Sequence, residues 1–230
     1  MKIISSFGLG TDALKNGKKF NCILGISVGS RDFSKEDITK YLEFCLKQFD
    51  KTLIIIVDDI KKYNWMSIDN ISETEASKKA EYEGMEMTVA VKKVIKFLKQ
   101  EKHDISRIQT YRWNEIKDMI PEYDKTVKIL EEHMKKDVSF KNDALIMTDK
   151  YLDAKGKKEL NPEKKEIAIQ FLIREMALFL LIGKSTKEHY CIDVYPGKFP
   201  VMEKLLTGKY GDILEKLPKN ILYGHIEIKK

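Results

Sequence analysis

Short apolar runs alternate with amphipathic stretches along most of the chain. Runs rich in branched aliphatic or alternating apolar residues predict strands at 21–27, 52–57, 105–111, 190–195 and 221–228. Apolar positions that recur every three or four residues predict helices at 34–49, 73–102, 121–136, 140–152 and 162–182. Strands that alternate with helices favour a parallel, doubly wound sheet with helices on both faces. We therefore expect one α/β domain that spans residues 1–230.

Composition narrows the protein class. The chain has 230 residues, of which 43% are hydrophobic and 34% charged, a balance typical of a folded domain. Its most apolar segment, 167–182, is shorter than the roughly 20 residues a membrane span needs, and it contains Arg174 and Glu175. It therefore predicts a buried helix and no membrane association. The first residues lack the continuous apolar stretch of a signal peptide.

Cysteine and histidine usage indicates neither disulfides nor a metal site. The three cysteines are odd in number and show no C-x-x-C spacing, which favours reduced thiols in a cytoplasmic protein. The four histidines form no recognisable ligand cluster, so we expect no metal.

A serine follows the first strongly apolar strand. Gly25-Ile26-Ser27-Val28-Gly29 fits G-x-S-x-G, the pattern of a nucleophilic serine on a strand-to-helix turn. Ligands bind at the carboxyl ends of strands in such sheets, so the position suits a functional Ser27. The alternative is a glycine-containing turn whose serine only bonds the backbone. An α/β-hydrolase is disfavoured because that fold needs several strands before its nucleophile.

Two further positions carry candidate chemistry. Phe171, Glu175 and Leu178 share one face of the apolar helix, where a carboxylate is costly unless it is paired or binds a cation. Glu175 therefore either forms a salt bridge or holds a substrate ammonium group. On the strand at 190–195, Asp193 and Tyr195 share one face. Tyr195 either lines a site, together with Asp193, or is an ordinary aromatic residue at a strand end.

The predicted helix at 73–102 has one apolar and one basic face. Met87, Val91, Val94, Ile95 and Leu98 form the apolar stripe. The lysines, which lie largely opposite, are Lys78, Lys79, Lys92, Lys93, Lys96 and Lys99. With a net charge of +6, this lysine face is either a solvated surface or one that follows the phosphates of a nucleic acid.

Together these features resemble the tRNA-dependent cyclodipeptide synthases. That family has an H-x-[LVI]-[LVI]-G-[LVI]-S segment, a helical Y-x-x-x-E segment and a tyrosine that ends a later strand. This chain matches with residues 21–27, Phe171 to Glu175 and Tyr195. It departs from the pattern at three positions: Asn21 replaces the histidine, Phe171 replaces a tyrosine that helps to bind the substrate amine, and Ala177 replaces a common proline. Ser30 and the Tyr195-Pro196 pair place it in the subfamily with Tyr-Pro after the late strand.

The resemblance implies a Rossmann-like fold, similar to the catalytic domain of class I tyrosyl- and tryptophanyl-tRNA synthetases. It implies ping-pong synthesis of a cyclic dipeptide from two aminoacyl-tRNAs, without cofactor, by a protein we expect to be monomeric. Ser27 would carry the aminoacyl and dipeptidyl esters, Glu175 would hold the ammonium, and Tyr195 would orient the aminoacyl group and relay protons. The lysine face would bind the first tRNA.

The resemblance also implies a substrate pocket lined by Ile23, Gly25, Ser30, Phe171, Leu178 and Asp193. Gly25 would leave room beside the ester. A buried Asp193 would favour a polar or cationic first amino acid. Two alternatives remain: a serine esterase or acyltransferase, and a tRNA-binding α/β module without catalytic activity.

Overall fold

A six-stranded sheet forms the centre of the protein. The computed structural model describes residues 1–156 and 160–229. The strands are β1 (Lys2–Gly8), β2 (Asn21–Ser27), β3 (Thr52–Val57), β4 (Ile108–Arg112), β5 (Tyr190–Tyr195) and β6 (Gly224–Lys229). Their order across the sheet is β1-β6-β5-β2-β3-β4, and only the β1–β6 pair is antiparallel.

Helices connect and cover the strands. Within the described residues they are α1 (Leu9–Asn16), α2 (Lys35–Gln48), α3 (Lys61–Asp69), α4 (Glu73–Gln100), α5 (Trp113–Lys117), α6 (Tyr123–Lys136), α7 (Val138–Ala154), α8 (Pro162–Ser185), α9 (Pro200–Leu206) and α10 (Ile213–Lys216). The five long predicted helices are confirmed as α2, α4, α6, α7 and α8, with ends shifted by a few residues.

The expected parallel sheet is confirmed for five strands, and β1 adds an antiparallel edge that the sequence analysis does not include. β1 was not predicted because its sequence, KIISSFG, has no regular apolar alternation and most of its residues are exposed. Pairing with β6 makes it a strand. The strand predicted at 105–111 begins only at Ile108, because residues 105–107 form a 3₁₀ turn that the Asp104 side chain caps by accepting from the Ser106 amide.

Both faces of the central strands β2 and β3 are buried. The side chains of Ile23, Leu53 and Ile55 pack towards α8, whereas Leu24 and Ile54 pack on the other side with α2 and α4, as the two-residue period of a strand requires. Each such fully buried aliphatic side chain stabilises the fold by roughly 1.5–3 kcal/mol.

Local sequence signals set where the helices begin. The Ser34 hydroxyl accepts from the Asp37 amide at the start of α2, and Ser72 with Glu75 forms a capping box at the start of α4. Pro162 occupies the first turn of α8, and the side chain of Asn161 caps that helix. α8 is a core helix, as predicted; no helix in the two described ranges is long and apolar enough to cross a membrane.

Asn21 anchors the amino end of β2. Its side-chain oxygen accepts from the Lys51 amide at 3.0 Å, and its side-chain amide donates to the Glu188 carbonyl. These bonds tie β2 to the segments that lead into its neighbours β3 and β5. Because β2 pairs in parallel with both β3 and β5, the carboxyl ends of the three strands lie at one edge of the sheet.

Candidate active site

A cavity of about 410 Å³ opens at the carboxyl ends of β2 and β5, beneath α7 and α8. This volume lies in the range of small-molecule sites. Six of the predicted site residues line it: Ser27, Ser30, Phe171, Glu175, Asp193 and Tyr195. They come from separate parts of the chain, and the fold brings them to one surface.

Three predicted substrate contacts do not reach this cavity wall. Ile23 and Leu178 are fully buried in the core between the sheet and α8. Gly25 also lies below the wall, and a Cβ there would sit 3.2 Å from Phe179 Cζ. The missing side chain of Gly25 thus makes room for Phe179, which itself lines the cavity.

Ser27 is the last residue of β2, and it is almost buried with 6% exposure. The chain then turns sharply, with the Ser30 amide donating to the Ser27 carbonyl at 3.3 Å. Gly29 adopts a φ of 66°, a left-handed conformation that favours glycine. Gly29 is not part of the family segment at residues 21–27, but its conformation shapes the turn that presents Ser27.

The sequence analysis missed Lys61, the first residue of α3. Its Nζ donates to Ser27 Oγ at 3.3 Å, and its side chain is fully buried. The rings of Tyr151, Phe171 and Trp65 surround the amine, with centroids 4.7, 5.4 and 5.7 Å away. No sequence signal separates this lysine from the adjacent Lys62; only the packing of α3 does.

Burial lowers the pKa of Lys61 to about 7. Repulsion from Lys155 acts in the same direction, whereas Glu175 and Glu83 oppose the shift.

Glu175 faces the cavity from α8 without a salt-bridge partner. In the described part of the chain no cation lies within ion-pair distance of its carboxyl group; the adjacent Arg174 pairs with Glu131 at 3.5 Å instead. Burial raises the pKa of Glu175 to about 8, with a further contribution from Asp193, and Lys61 opposes it. A cation that enters the cavity favours the ionised form of this carboxyl group and lowers its pKa.

Tyr195 ends β5, and its ring packs against Phe33 with centroids 5.9 Å apart. Burial, followed by the charges of Glu175 and Asp193, raises the pKa of Tyr195 well above its usual value. The phenol therefore stays protonated and can donate a hydrogen bond into the cavity.

Asp193 is already partly neutralised by neighbours that the sequence analysis did not assign. Its Oδ2 accepts from Tyr223 at 3.1 Å and lies 2.8 Å from His225 Nδ1. The other ring nitrogen of His225 lies 2.9 Å from the Gly197 carbonyl. Two acceptors favour the doubly protonated ring. Burial lowers the pKa of His225, but the bond to Asp193 and its charge outweigh this, and the net shift is upwards.

One oxygen of Asp193 remains without a partner. Oδ1 is buried and has no hydrogen bond within the described structure, and Asp193 lines the cavity. The side chain can therefore accept one more hydrogen bond, although its charge is compensated.

The basic face of α4 lies outside the cavity. Five of the predicted lysines are exposed: Lys78, Lys92, Lys93, Lys96 and Lys99. Lys79 is partly committed elsewhere, in an ion pair with Asp69 at 2.7 Å and over the Trp65 ring at 3.9 Å. On the opposite side of α4, Val91, Val94 and Leu98 are buried, as predicted.

Cations that the sequence analysis did not select also surround the cavity mouth. Arg31, Lys155 and Lys198 are among its lining residues, and the Lys155 amine donates to the Gly29 carbonyl at 2.6 Å.

Comparisons with known proteins identify the family and the fold. A family model described as cyclodipeptide synthase matches residues 14–214. The structure is similar to that of a cyclodipeptide synthase from Staphylococcus haemolyticus, with 21% identity, a TM-score of 0.75 and 98% of each chain covered. No curated protein matches the sequence.

Two other solved structures extend the comparison. A Mycobacterium tuberculosis protein, described as demonstrating that cyclodipeptide synthetases are related to type I tRNA synthetases, shares 14% identity over 98% of this chain and 94% of its own, with a TM-score of 0.68. A synthase from Candidatus Glomeribacter gigasporarum, bound to Phe-tRNAPhe, shares 16% sequence identity over 97% of this chain and 94% of its own, with a TM-score of 0.66. The Rossmann-like fold expected from the sequence is thereby confirmed.

Proposed function

The chain belongs to the cyclodipeptide synthase family, and on that premise we propose that Ser27, Glu175 and Tyr195 make a cyclic dipeptide from two aminoacyl-tRNAs by a ping-pong mechanism. The observation that carries the proposal is their convergence on one cavity from β2, α8 and β5. Ser30 and the Tyr195-Pro196 pair favour the subfamily with Tyr-Pro after the late strand.

In the first half-reaction, Ser27 Oγ attacks the ester carbonyl of an aminoacyl-tRNA. A bond forms between Oγ and the acyl carbon, and the bond to the ribose oxygen breaks, which releases tRNA. The substrate is already an activated ester, so a serine needs less assistance than in amide hydrolysis. The amides of Val28 and Ser30 already donate to the carbonyls of Val57 and Ser27, so within residues 28–30 the Gly29 amide is the candidate donor for the oxyanion.

In the second half-reaction, the bound α-amine attacks the ester of a second aminoacyl-tRNA, which gives a dipeptidyl ester on Ser27. Attack by the new terminal amine then closes the ring and frees Ser27. Each attack requires a neutral amine. Burial raises the pKa of Glu175 to about 8, so its carboxylate is a stronger base than that of an ordinary glutamate. Glu175 therefore both holds the ammonium and accepts its proton.

Tyr195 orients the aminoacyl group. Its protonated phenol acts as a hydrogen-bond donor to substrate oxygens, and proton relay during ring closure passes through this hydroxyl rather than through a phenolate.

The tRNA binds along the basic face of α4, with its acylated end at the cavity. Lys78, Lys92, Lys93, Lys96 and Lys99 supply the phosphate contacts, and Lys79 contributes if its ion pair with Asp69 opens. Arg31, Lys155 and Lys198 at the mouth suit the phosphates next to the ester. Use of charged tRNA and three buried, free thiols are consistent with a cytoplasmic enzyme.

The first amino acid has a side chain that donates a hydrogen bond. Asp193 Oδ1 is an unpaired acceptor at the cavity, which supports a polar partner. The compensation of Asp193 by His225 weakens the preference for a full positive charge, so neutral donors compete with cationic side chains.

The test is incubation of the protein with a mixture of charged tRNAs, followed by mass spectrometry of the products and of the intact protein. We expect a cyclic dipeptide together with an aminoacyl adduct that is absent in Ser27→Ala. Ester hydrolysis without cyclic product would favour an esterase. Equal binding of charged and uncharged tRNA, by both the wild type and Ser27→Ala, together with no cyclic product, would favour a non-catalytic module.

A further inference from the structure

Lys61 lies directly beneath the hydroxyl of Ser27. Parallel pairing of β2 and β3 sets Ser27 beside Val57, so the segment that leaves β3 passes under the end of β2. That segment turns into α3, whose first residue is Lys61. The Nζ–Oγ distance of 3.3 Å places a nitrogen base in contact with the atom that attacks the ester.

The surroundings of Lys61 permit both a charged and a neutral amine. The side chain is fully buried, and no carboxylate of the described residues lies within ion-pair distance of its Nζ. The titratable groups that face it are Glu83 on α4, Tyr151 on α7, Glu175 on α8 and Lys155 after α7. The aromatic rings favour the ammonium, whereas desolvation favours the neutral amine. When the amine is neutral, the same contact lets Oγ–H donate to Nζ.

We propose that Lys61 is the general base of the proposed synthase reaction, accepting the proton of Ser27 as Oγ attacks the aminoacyl ester. The inference rests on the proposed function of Ser27. It assigns a general base to this serine, for which the sequence analysis found none. The pKa of about 7 for Lys61 supports it, because the free amine is then abundant near neutral pH.

Solvent water completes the proton balance. In acylation, the Oγ–H proton moves to Nζ while the Oγ–C bond forms, and the departing ribose oxygen takes a proton from water at the cavity mouth. In the second transfer, the α-amine loses its proton to Glu175, which passes it to the departing ribose oxygen of the second tRNA. In ring closure, Oγ leaves the acyl carbon and recovers the proton from the Lys61 ammonium. The attacking amine loses its proton to Glu175, which returns it to the solvent and so replaces the proton that water gave in acylation.

A charged Lys61 also helps between these steps. While Ser27 carries its ester, the nearby ammonium disfavours a second positive charge and so lowers the pKa of the bound α-amine. The amine is thereby kept neutral for attack on the second aminoacyl-tRNA.

The experiment compares Lys61→Met with Lys62→Met in the full-length protein. Lys62 is the matched control because it is the adjacent lysine and pairs with Glu73 at 3.4 Å instead of contacting Ser27. Two probes report on Ser27: acylation by charged tRNA, and phosphonylation by a fluorophosphonate, in which an Oγ–P bond forms, fluoride leaves and the proton must again be removed.

We expect Lys61→Met to slow both reactions about 100-fold, a typical loss for a general base. The KM for aminoacyl-tRNA should stay unchanged, and the inflection near pH 7 in the acylation rate should disappear. Lys61→Arg should be equally slow, because arginine keeps the hydrogen bond but stays protonated. Lys62→Met should match the wild type. Thermal denaturation of each variant checks folding.

Equal rates and an unchanged pH profile in Lys61→Met would overturn the assignment, while tRNA-dependent acylation of the wild type would leave the proposed function standing. Conversely, Lys61-dependent phosphonylation without acylation by charged tRNA would support the base and refute the synthase mechanism. A wild-type Ser27 that reacts with neither probe would refute both.

Discussion

Asp193 and His225 face each other across β5 and β6 as register partners, and their side chains form a buried ion pair of 2.8 Å beneath the candidate active site. The pair explains how a carboxylate is tolerated in the cavity wall. It also divides the two oxygens of Asp193 between structure and binding: Oδ2 is held by His225 and Tyr223, and Oδ1 is free for a ligand.

The pair makes stability depend on pH. The pKa of His225 is raised by folding, so its stabilising contribution is fully present below the unfolded value of about 6.5 and is lost as the pH rises through the folded value. His225→Gln should cost roughly 3–5 kcal/mol at pH 6, because it leaves Asp193 buried without its partner, and it should lose less stability than the wild type on going to higher pH. Urea denaturation at a series of pH values measures both. Parallel curves for the two proteins would show that His225 is not charged in the fold.

Asp193→Leu should change which cyclic dipeptides form. Removal of the Oδ1 acceptor should shift the first amino acid towards apolar side chains, with a loss for the original substrate of about tenfold or more. Because the substitution also leaves His225 buried without its partner, the double variant Asp193→Leu/His225→Leu, which removes both members of the pair, serves as the companion. Mass spectrometry of products from a mixed pool of charged tRNAs measures the outcome. An unchanged product spectrum in both variants would place the side-chain pocket elsewhere.

Glu175→Gln should separate substrate chemistry from folding. Since folding raises the pKa of Glu175 to about 8, the wild type loses stability as the pH rises from about 4.5 through 8, and the neutral glutamine removes that loss. The variant should therefore be at least as stable as the wild type at pH 8, yet form cyclic dipeptide about 100-fold more slowly. Chemical denaturation and product assays test the two halves. Full activity in the variant would exclude a role for the carboxylate.

Reversal of charge on α4 should weaken tRNA binding without affecting Ser27. Lys92→Glu/Lys96→Glu removes two exposed phosphate contacts, so affinity for charged tRNA should fall and its dependence on salt should flatten. The fluorophosphonate reaction of Ser27 should be unaffected. Lys209→Glu/Lys219→Glu, at exposed sites remote in sequence, is the control for net charge. Equal losses in the two pairs would mean that binding depends on overall charge and not on this helix.

Gly25→Ala tests whether Gly25 serves core packing or makes room for the substrate ester. The added Cβ meets Phe179 Cζ at 3.2 Å, so we expect a destabilisation of about 1–3 kcal/mol from overpacking. Product formation per folded protein should be retained, because Gly25 is not part of the cavity wall. Loss of activity with unchanged stability would instead restore Gly25 as a neighbour of the substrate.

Strong local patterns made much of the fold predictable. Continuous aliphatic runs identified β2 and β3, and the caps at Ser34 and Ser72 begin α2 and α4, because the side-chain period and the first-turn hydrogen bonds act over a few residues. The sequence does not predict β1, because this segment becomes a strand only through its backbone pairing with β6.

Within the site, the sequence by itself determined the residues with matching motifs, Ser27, Glu175 and Tyr195, and the face of each element on which they lie, since periodicity is a local property. Only the tertiary structure decided what surrounds them. Lys61 and His225 look like ordinary surface residues in the sequence, and burial beside Ser27 and Asp193 gives them their chemistry. Desolvation and the charges of distant residues set those environments, and both depend on how the whole chain packs.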